Sequence, residues 1–377
     1  MIQDVFVVDA SAHSYNLRED NYAVGRYSQA VVDAFYGAHY GLSPVGHRLP
    51  REQFTRDWTV TETAKMLYVE SDYDFACHHV TPINAFKDGG VSVQKARELR
   101  DRWPGRFQVY AGVDPVFPEQ ALDSLEQQVE ELEPVGLKLY PNSYSAEGVV
   151  GWHMDDPEIA FPLFQRALDR GLKAVAIHKA IPLGPVPMDH YRMDDIDAAA
   201  AAFPDLQFEV VHGGFAFIEE TAFQLARFSN VWVNLETTSN LAVAKPAAFE
   251  RVIAGLITHA GEGALDRLMW ARQAPVFYTL SRRSGGSGSN FSSRRRCANE
   301  RAFRRSLKRS RERFLASIIF ECMGSMRKLL RRTSKVMNSP SSDQRGKRNH
   351  TRPLTRRGLQ NENLFARGCN FAFAGNN

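Results

Sequence analysis

Lys173-Ala-Val-Ala-Ile-His178 and Leu206-Gln-Phe-Glu-Val-Val-His212 are two short, mostly apolar runs, and each ends on a histidine. A run of four to eight such residues is what a strand covered on both faces looks like, because helices pack against either side of a parallel sheet. Outward from this pair the same text recurs at 5–9, 73–77, 107–113, 135–140 and 231–236, with an eighth run at 265–270. Between the runs lie segments with helical spacing. In 118–132 the apolar positions are Ala121, Leu122, Leu125, Val129 and Leu132, and 159–170 and 218–228 read the same way. Strands alternating with helices make βαβ units and a parallel sheet. Eight of them fit a closed (β/α)8 TIM-type barrel of the α/β class better than an open doubly wound sheet. No glycine-rich phosphate loop follows the first run, which speaks against dinucleotide binding. Residues 1–270 are therefore assigned to the barrel, with an insertion after strand one at 14–65 that carries the turn signals Gly41, Pro44, Gly46 and Pro50.

The eighth run breaks off, so the eighth unit is expected to be disrupted. Residues 271–377 carry 25 Lys and Arg against 5 Asp and Glu, whereas the remainder carries 22 against 38. The net charge of +4 thus averages an acidic body and a strongly basic, low-complexity tail for which no order is expected. Two origins fit this tail. It is either a natural basic appendage or the product of a reading-frame shift near codon 271, since the break falls within a strand rather than at a linker. Clusters such as Arg294-Arg-Arg296, Arg304-Arg305 and Arg331-Arg332 would attract polyanions. No zinc-finger, helix-turn-helix or RNA-recognition pattern accompanies them, so nucleic acid is not the expected partner. Cys77, Cys297, Cys322 and Cys369 have no metal-ligand spacing and read as reduced thiols. The opening residues lack the features of a signal peptide, and no apolar run approaches the ~18 residues that span a bilayer. The expected setting is cytoplasmic, with a small-molecule substrate and no membrane partner; a homo-oligomer stays open.

In such barrels chemistry sits at the C-terminal ends of the strands. There the sequence places Asp9-Ala-Ser-Ala-His13, His78-His79, Lys138, His178, His212 and Glu236. Imidazoles and carboxylates converging on one rim can bind a divalent metal, which activates water or polarises a substrate oxygen. Each has a plainer reading too. A histidine at a strand end can simply be hydrogen-bonded. His78 and His79 point to opposite faces, so at most one looks inward. Glu236 can be a ligand, a general base or a cap, and Lys138 can pair with a substrate carboxylate or with Glu236. Asp9 can orient His13 from behind. The proline-rich stretch 180–188 suits a pocket wall, and Tyr15, Asn16, Tyr140 and Phe215 suit a pocket for a ring or planar acid.

Val-Val-Asp9-Ala-Ser11-Ala-His13, Gly136-Leu-Lys-Leu-Tyr-Pro141, the strand ending in His178 and Val-Val-His212-Gly-Gly214 together resemble an amidohydrolase-related family. That family includes aminocarboxymuconate semialdehyde decarboxylase and γ-resorcylate decarboxylase. The resemblance covers roughly 1–270. It implies His13 and His178 as metal ligands, with zinc the first expectation and manganese the second. It implies His212 as the catalytic histidine. From their places at the strand ends, and not from the resemblance, Glu236 is expected to share the catalysis and Lys138, Tyr140 and Asn16 to contact the substrate. Two positions depart from the pattern. Ser11 stands at the first ligand position, and Gln273 stands near the place of a strand-eight aspartate. The expected function is a metal-dependent hydrolase of a small cyclic or aromatic carboxylate, ester, amide or lactone. Non-oxidative decarboxylation is the first alternative, and a barrel inactivated by loss of the strand-eight ligand is the second.

Overall fold

The computed structural model describes residues 6–71 and 73–272, all within the first of the two units (1–327 and 328–377) into which the chain divides. Eight parallel strands run in chain order: β1 (Val8–Ala12), β2 (Phe75–His79), β3 (Phe107–Gly112), β4 (Gly136–Leu139), β5 (Ala174–His178), β6 (Gln207–Val211), β7 (Val231–Asn234) and β8 (Leu268–Met269). Each is hydrogen-bonded to its predecessor, down to the short pairing of Leu268 with Val233 and of Met269 with Asn234. The ring is nearly closed: Ala10 N donates to Trp270 O at 3.0 Å, and Arg272 N donates to Asp9 Oδ1 at 3.0 Å. Strand eight, read as a run that breaks off within a disrupted eighth unit, forms as the two-residue strand Leu268–Met269. Gln273, the rest of the basic tail and its three cysteines lie outside the described residues.

The helices are α1 (Gly25–Leu42), α2 (Val60–Tyr68), α3 (Val93–Arg102), α4 (Pro118–Leu132), α5 (Ala160–Asp169), α6 (Ile196–Ala202), α7 (Ile218–Arg227) and α8 (Pro246–Ala260). α4, α5 and α7 stand where the apolar spacing put them. Leu125 of α4, Leu163 and Phe164 of α5, and Ala199 of α6 are buried with Leu137, Val175, Ile177 and Phe208 of the strands in one apolar cluster. The insertion is more ordered than its turn residues suggest. α2 belongs to the barrel and starts at a capping box, Thr59 and Glu62 each satisfying the other's backbone amide. α1 packs Tyr27, Val31 and Phe35 into the same cluster as Tyr140, Tyr144 and Leu183, which lie beyond β4 and β5. The insertion thus covers part of the catalytic end. A small hairpin, Asn142–Tyr144 against Val149–Gly151, was not foreseen.

β1 lies three residues later than the apolar run suggested, because the small residues Ala10, Ser11 and Ala12 are buried strand rather than loop. Strand alternation then sets Asp9, Ser11 and His13 on one face. Just after β5, Lys179 Nζ donates to both carboxylate oxygens of Asp195 (2.8 and 2.7 Å) and to His190 O (2.8 Å), with Lys179 and Asp195 both buried. Lys179→Met would leave a buried carboxylate without its counter-charge. A loss of about 3–5 kcal/mol in urea unfolding is expected, much of it recovered when Asp195→Leu is added. No helix among the described residues is long and apolar enough to cross a membrane.

Candidate active site

The C-terminal strand ends gather seven polar side chains, all buried: Ser11 and His13 from the end of β1, His79 from β2, Lys138 from β4, His178 from β5, His212 directly after β6 and Glu236 after β7. Glu236 joins three of the others. Its Oε1 lies 3.0 Å from His13 Nε2, its Oε2 accepts the Ser11 hydroxyl, and its backbone carbonyl accepts from His212 Nδ1 at 2.9 Å. Burial by itself would push the Glu236 pKa up. The imidazoles of His13 and His212 and the Lys138 ammonium outweigh it and hold the carboxyl well below its usual range. Ser11, read as a gap in the ligand set, is a bridging hydroxyl: His79 Nδ1 lies 3.4 Å from its oxygen. His79 is the inward member of its pair, its ring stacked on Tyr110 at 4.3 Å, while His78 Nε2 meets the Ser14 hydroxyl at 3.1 Å. The sequence restricted that choice to one of two and the strand register made it.

The second half of the site is a pair of imidazoles. His178 Nε2 lies 2.7 Å from Ile181 O, and His212 Nδ1 lies 2.9 Å from Glu236 O. A carbonyl only accepts, so each of these nitrogens carries its ring's proton. The other two, His178 Nδ1 and His212 Nε2, face each other at 3.0 Å. In neutral rings both present lone pairs. A proton between them would require an imidazolium, which the surroundings oppose: burial, and then the neighbouring His212, hold His178 well below its ordinary pKa, and burial takes His212 down to about 4. Two buried lone pairs therefore converge with nothing to neutralise them. The backbone under them is strained. Ala180, His212 and Thr237, which follow β5, β6 and β7, hold φ of 62°, 64° and 62°, a region that costs a non-glycine residue about 1–3 kcal/mol.

Lys138 does not pair with Glu236. Its ammonium is buried, has no hydrogen-bond partner and lies 4.9 Å from the centre of the Tyr140 ring. Burial lowers its pKa to about 8, against the upward pull of Glu236 and Glu209. Tyr140 stacks on His178 (4.8 Å, 25°), and Tyr15 packs against His13 at 4.8 Å. Asn16 is a correction. Its side chain accepts from Arg18 N, and the residue lines a surface depression with Asp57, Thr59 and Lys95 instead of reaching the histidines. The chain turns outward there because Asn16 N bonds Gly90 O. Asp9 is a second correction. Its Oδ1 accepts from Ser11 N and Arg272 N, so it secures the β1–β8 seam and does not orient His13. Phe215 is exposed.

A family model described as Amidohydrolase matches residues 84–277, just over half of the chain. The chain belongs to the amidohydrolase family. The match begins past β2, so the strand that carries Ser11 and His13 lies outside it. Among solved structures, this amidohydrolase resembles an uncharacterised TIM-barrel protein from Bordetella bronchiseptica (16% identity, TM-score 0.54, 72% of this chain and 86% of that one). That likeness bears on the fold. Weaker matches include a 5-carboxyvanillate decarboxylase from Novosphingobium aromaticivorans with bound manganese (15% identity, TM-score 0.46, covering 74% and 89%). Another is a 2,6-dihydroxybenzoate decarboxylase complexed with 2,6-dihydroxybenzoate (13% identity, TM-score 0.45, covering 73% and 89%). No curated protein matches.

Proposed function

We propose that this amidohydrolase is a divalent-metal-dependent hydrolase of a small cyclic or aromatic carboxylate carrying an ester, amide or lactone bond. The observation that carries this reading is the pair of facing lone pairs on His178 and His212. The chemistry of the donors suits a divalent cation: besides His178 Nδ1 there is His13 with a buried Nδ1 that has no partner, and a Glu236 carboxyl that is strongly ionised. Their ligand atoms do not all lie within 4.8 Å of one another, so the rim would have to draw in to hold an ion. His13 and His178 would hold the ion, with Glu236 supplying an oxygen. Imidazole-rich sites suit zinc first, and a carboxylate also admits manganese. When bound, the ion supplies Lewis-acid polarisation of a substrate oxygen.

The chain's own groups do the rest. Lys138, a buried ammonium without a partner, receives the substrate carboxylate. The Tyr140 ring walls the space next to His178. His212 Nε2 accepts a proton from the attacking water and returns it to the leaving group, and the Glu236 carbonyl fixes the tautomer that leaves this nitrogen free. A second reading, non-oxidative decarboxylation, has support of its own in the flat Tyr140–His178 stack, which suits an aromatic ring. There His212 Nε2 takes a proton from a ring hydroxyl of the substrate and passes it to the ring carbon, and the bond from ring to carboxylate breaks as carbon dioxide leaves. The test is a panel of aromatic and cyclic carboxylate esters, amides, lactones and hydroxybenzoates, assayed for acid release and for carbon dioxide, with and without chelator. Acid release that chelation stops is the expected result. Carbon dioxide release would select the second reading. No turnover of any member by metal-loaded protein would reject both and leave an inactive barrel.

A further inference from the structure

A second group of potential ligands lies away from these histidines. His153 follows the hairpin, and Asp189 and His190 stand on the single helical turn Asp189–Tyr191 that closes the loop after β5. Each offers one ligand atom, and the three atoms all lie within 4.8 Å of one another, the sole such His/Asp group among the described residues. His153 Nε2 is 3.4 Å from Asp189 Oδ2, and the rings of His153 and His190 are 4.6 Å apart. His153 Nδ1 is 3.7 Å from Asp195 Oδ2, so its ring lies between two carboxylates. The His190 Nδ1 atom is buried and has no hydrogen-bond partner. Two imidazoles and a carboxylate are a donor set for a divalent transition metal, with water filling what remains.

The positions of these side chains are fixed from behind, which a chance surface cluster would not require. His153 is held between two buried neighbours. Trp152 Nε1 donates to Tyr140 O at 2.7 Å, and Met154 N donates to Asp195 Oδ2 at 3.0 Å. His190 is held by its carbonyl, which accepts from Lys179 Nζ. Its ring lies over Gly151: a Cβ there would come within 2.1 Å of His190 Cδ2, so only glycine leaves room for it. The face remains open to solvent, with the His153 side chain 41% exposed and that of Asp189 69%.

We infer that His153, Asp189 and His190 form a second divalent-metal site, of the zinc-accepting class, that fastens the loop after β5 to the segment following the hairpin. That loop matters to the barrel mouth. Ile181 O accepts from His178, Tyr144 donates to Leu183 O at 2.6 Å, and Tyr191, next to His190, sets its ring edge-on to His178 at 5.8 Å. An ion on His190 therefore holds the turn that carries Tyr191. The inference stands on residues separate from those of the proposed function.

The experiment is a zinc titration of chelator-stripped full-length protein against a chromophoric competitor, using wild type, His153→Ala/Asp189→Asn and His178→Ala. The surface variant is expected to bind one equivalent fewer than wild type, and His178→Ala to keep that equivalent. Hydrogen exchange over 180–191 should slow at least threefold with zinc in wild type and in His178→Ala, but not in the surface variant. Equal zinc binding by wild type and the folded surface variant would overturn the site. Unchanged exchange would overturn the fastening. If His178→Ala binds as much zinc as wild type, the reading of the barrel histidines fails and this one survives.

Discussion

His178→Ala is expected to lose its bound metal. In the His153→Ala/Asp189→Asn background, where the barrel site alone is counted, the chain with His178 intact, purified without added metal, should carry nearly one zinc or manganese per molecule by elemental analysis. The reason is local. His178 Nδ1 is one of two lone pairs that meet at 3.0 Å, and its orientation is locked by the bond from Nε2 to Ile181 O. Alanine removes a whole donor, and metal affinity should fall by more than about 100-fold, the upper end of what losing a supporting hydrogen bond costs. His79→Ala, which removes a ring that meets the Ser11 hydroxyl and stands edge-on to the His13 ring, should fall within that smaller range. Folded wild type without metal would sink the metal-hydrolase reading, as would His178→Ala that keeps the wild-type content.

Lys138→Met should have opposite effects on binding and on stability. A buried ammonium that meets a substrate carboxylate contributes about 1.5–3 kcal/mol as a charged hydrogen bond, so KM should rise roughly 10- to 100-fold. The ligand-free protein, in contrast, should become more stable. Burial has taken the folded-state pKa from 10.5 to about 8. Above pH 10.5 neither folded nor unfolded chain carries the proton, and no penalty exists. As pH falls from 10.5 to 8 the unfolded chain takes up the proton first, and stability drops. Below 8 the penalty is complete, about 3 kcal/mol at 1.36 kcal/mol per pH unit. Urea unfolding of wild type should accordingly show stability rising across pH 8–10.5 through this group, a rise absent in Lys138→Met. The same titration predicts weaker carboxylate binding above pH 8. A variant no more stable than wild type at pH 7, with unchanged KM, would show that Lys138 serves neither purpose.

Much of the fold could be read in advance because it rests on burial periodicity. All eight strands begin within three residues of the apolar runs, and α4, α5 and α7 needed only their stripes of apolar side chains. β1 was misplaced because alanine and serine carry little hydrophobic signal, although they fit where strand and neighbours pack closely. His13, His178, His212, Lys138 and Glu236, which the structure gathers at one end of the barrel, could be singled out because polar residues at the ends of apolar runs stand out. Asn16 stands apart from them because it lies four residues past β1, where a backbone bond from its N–H to Gly90 O accompanies the turn of the chain. His79 and Ser11 could not be resolved from sequence: which face a strand residue takes depends on register. The Lys179–Asp195 pair and the His153–Asp189–His190 group join segments far apart in the chain, and composition gives no hint of such pairings.

Glu236 holds Ser11 and His13 by its side chain and His212 by its main chain. Glu236 is buried and these bonds hold both its carboxylate and its carbonyl, so a shift at one end is passed toward the other. The two halves of the site are therefore geared together: a pull on His13 by anything bound beside it turns the same lever that sets His212. Neither half can be retuned alone, and a substrate that seats badly at one strand end throws off the proton-handling nitrogen at another. Selectivity would then be expressed in turnover as well as in binding.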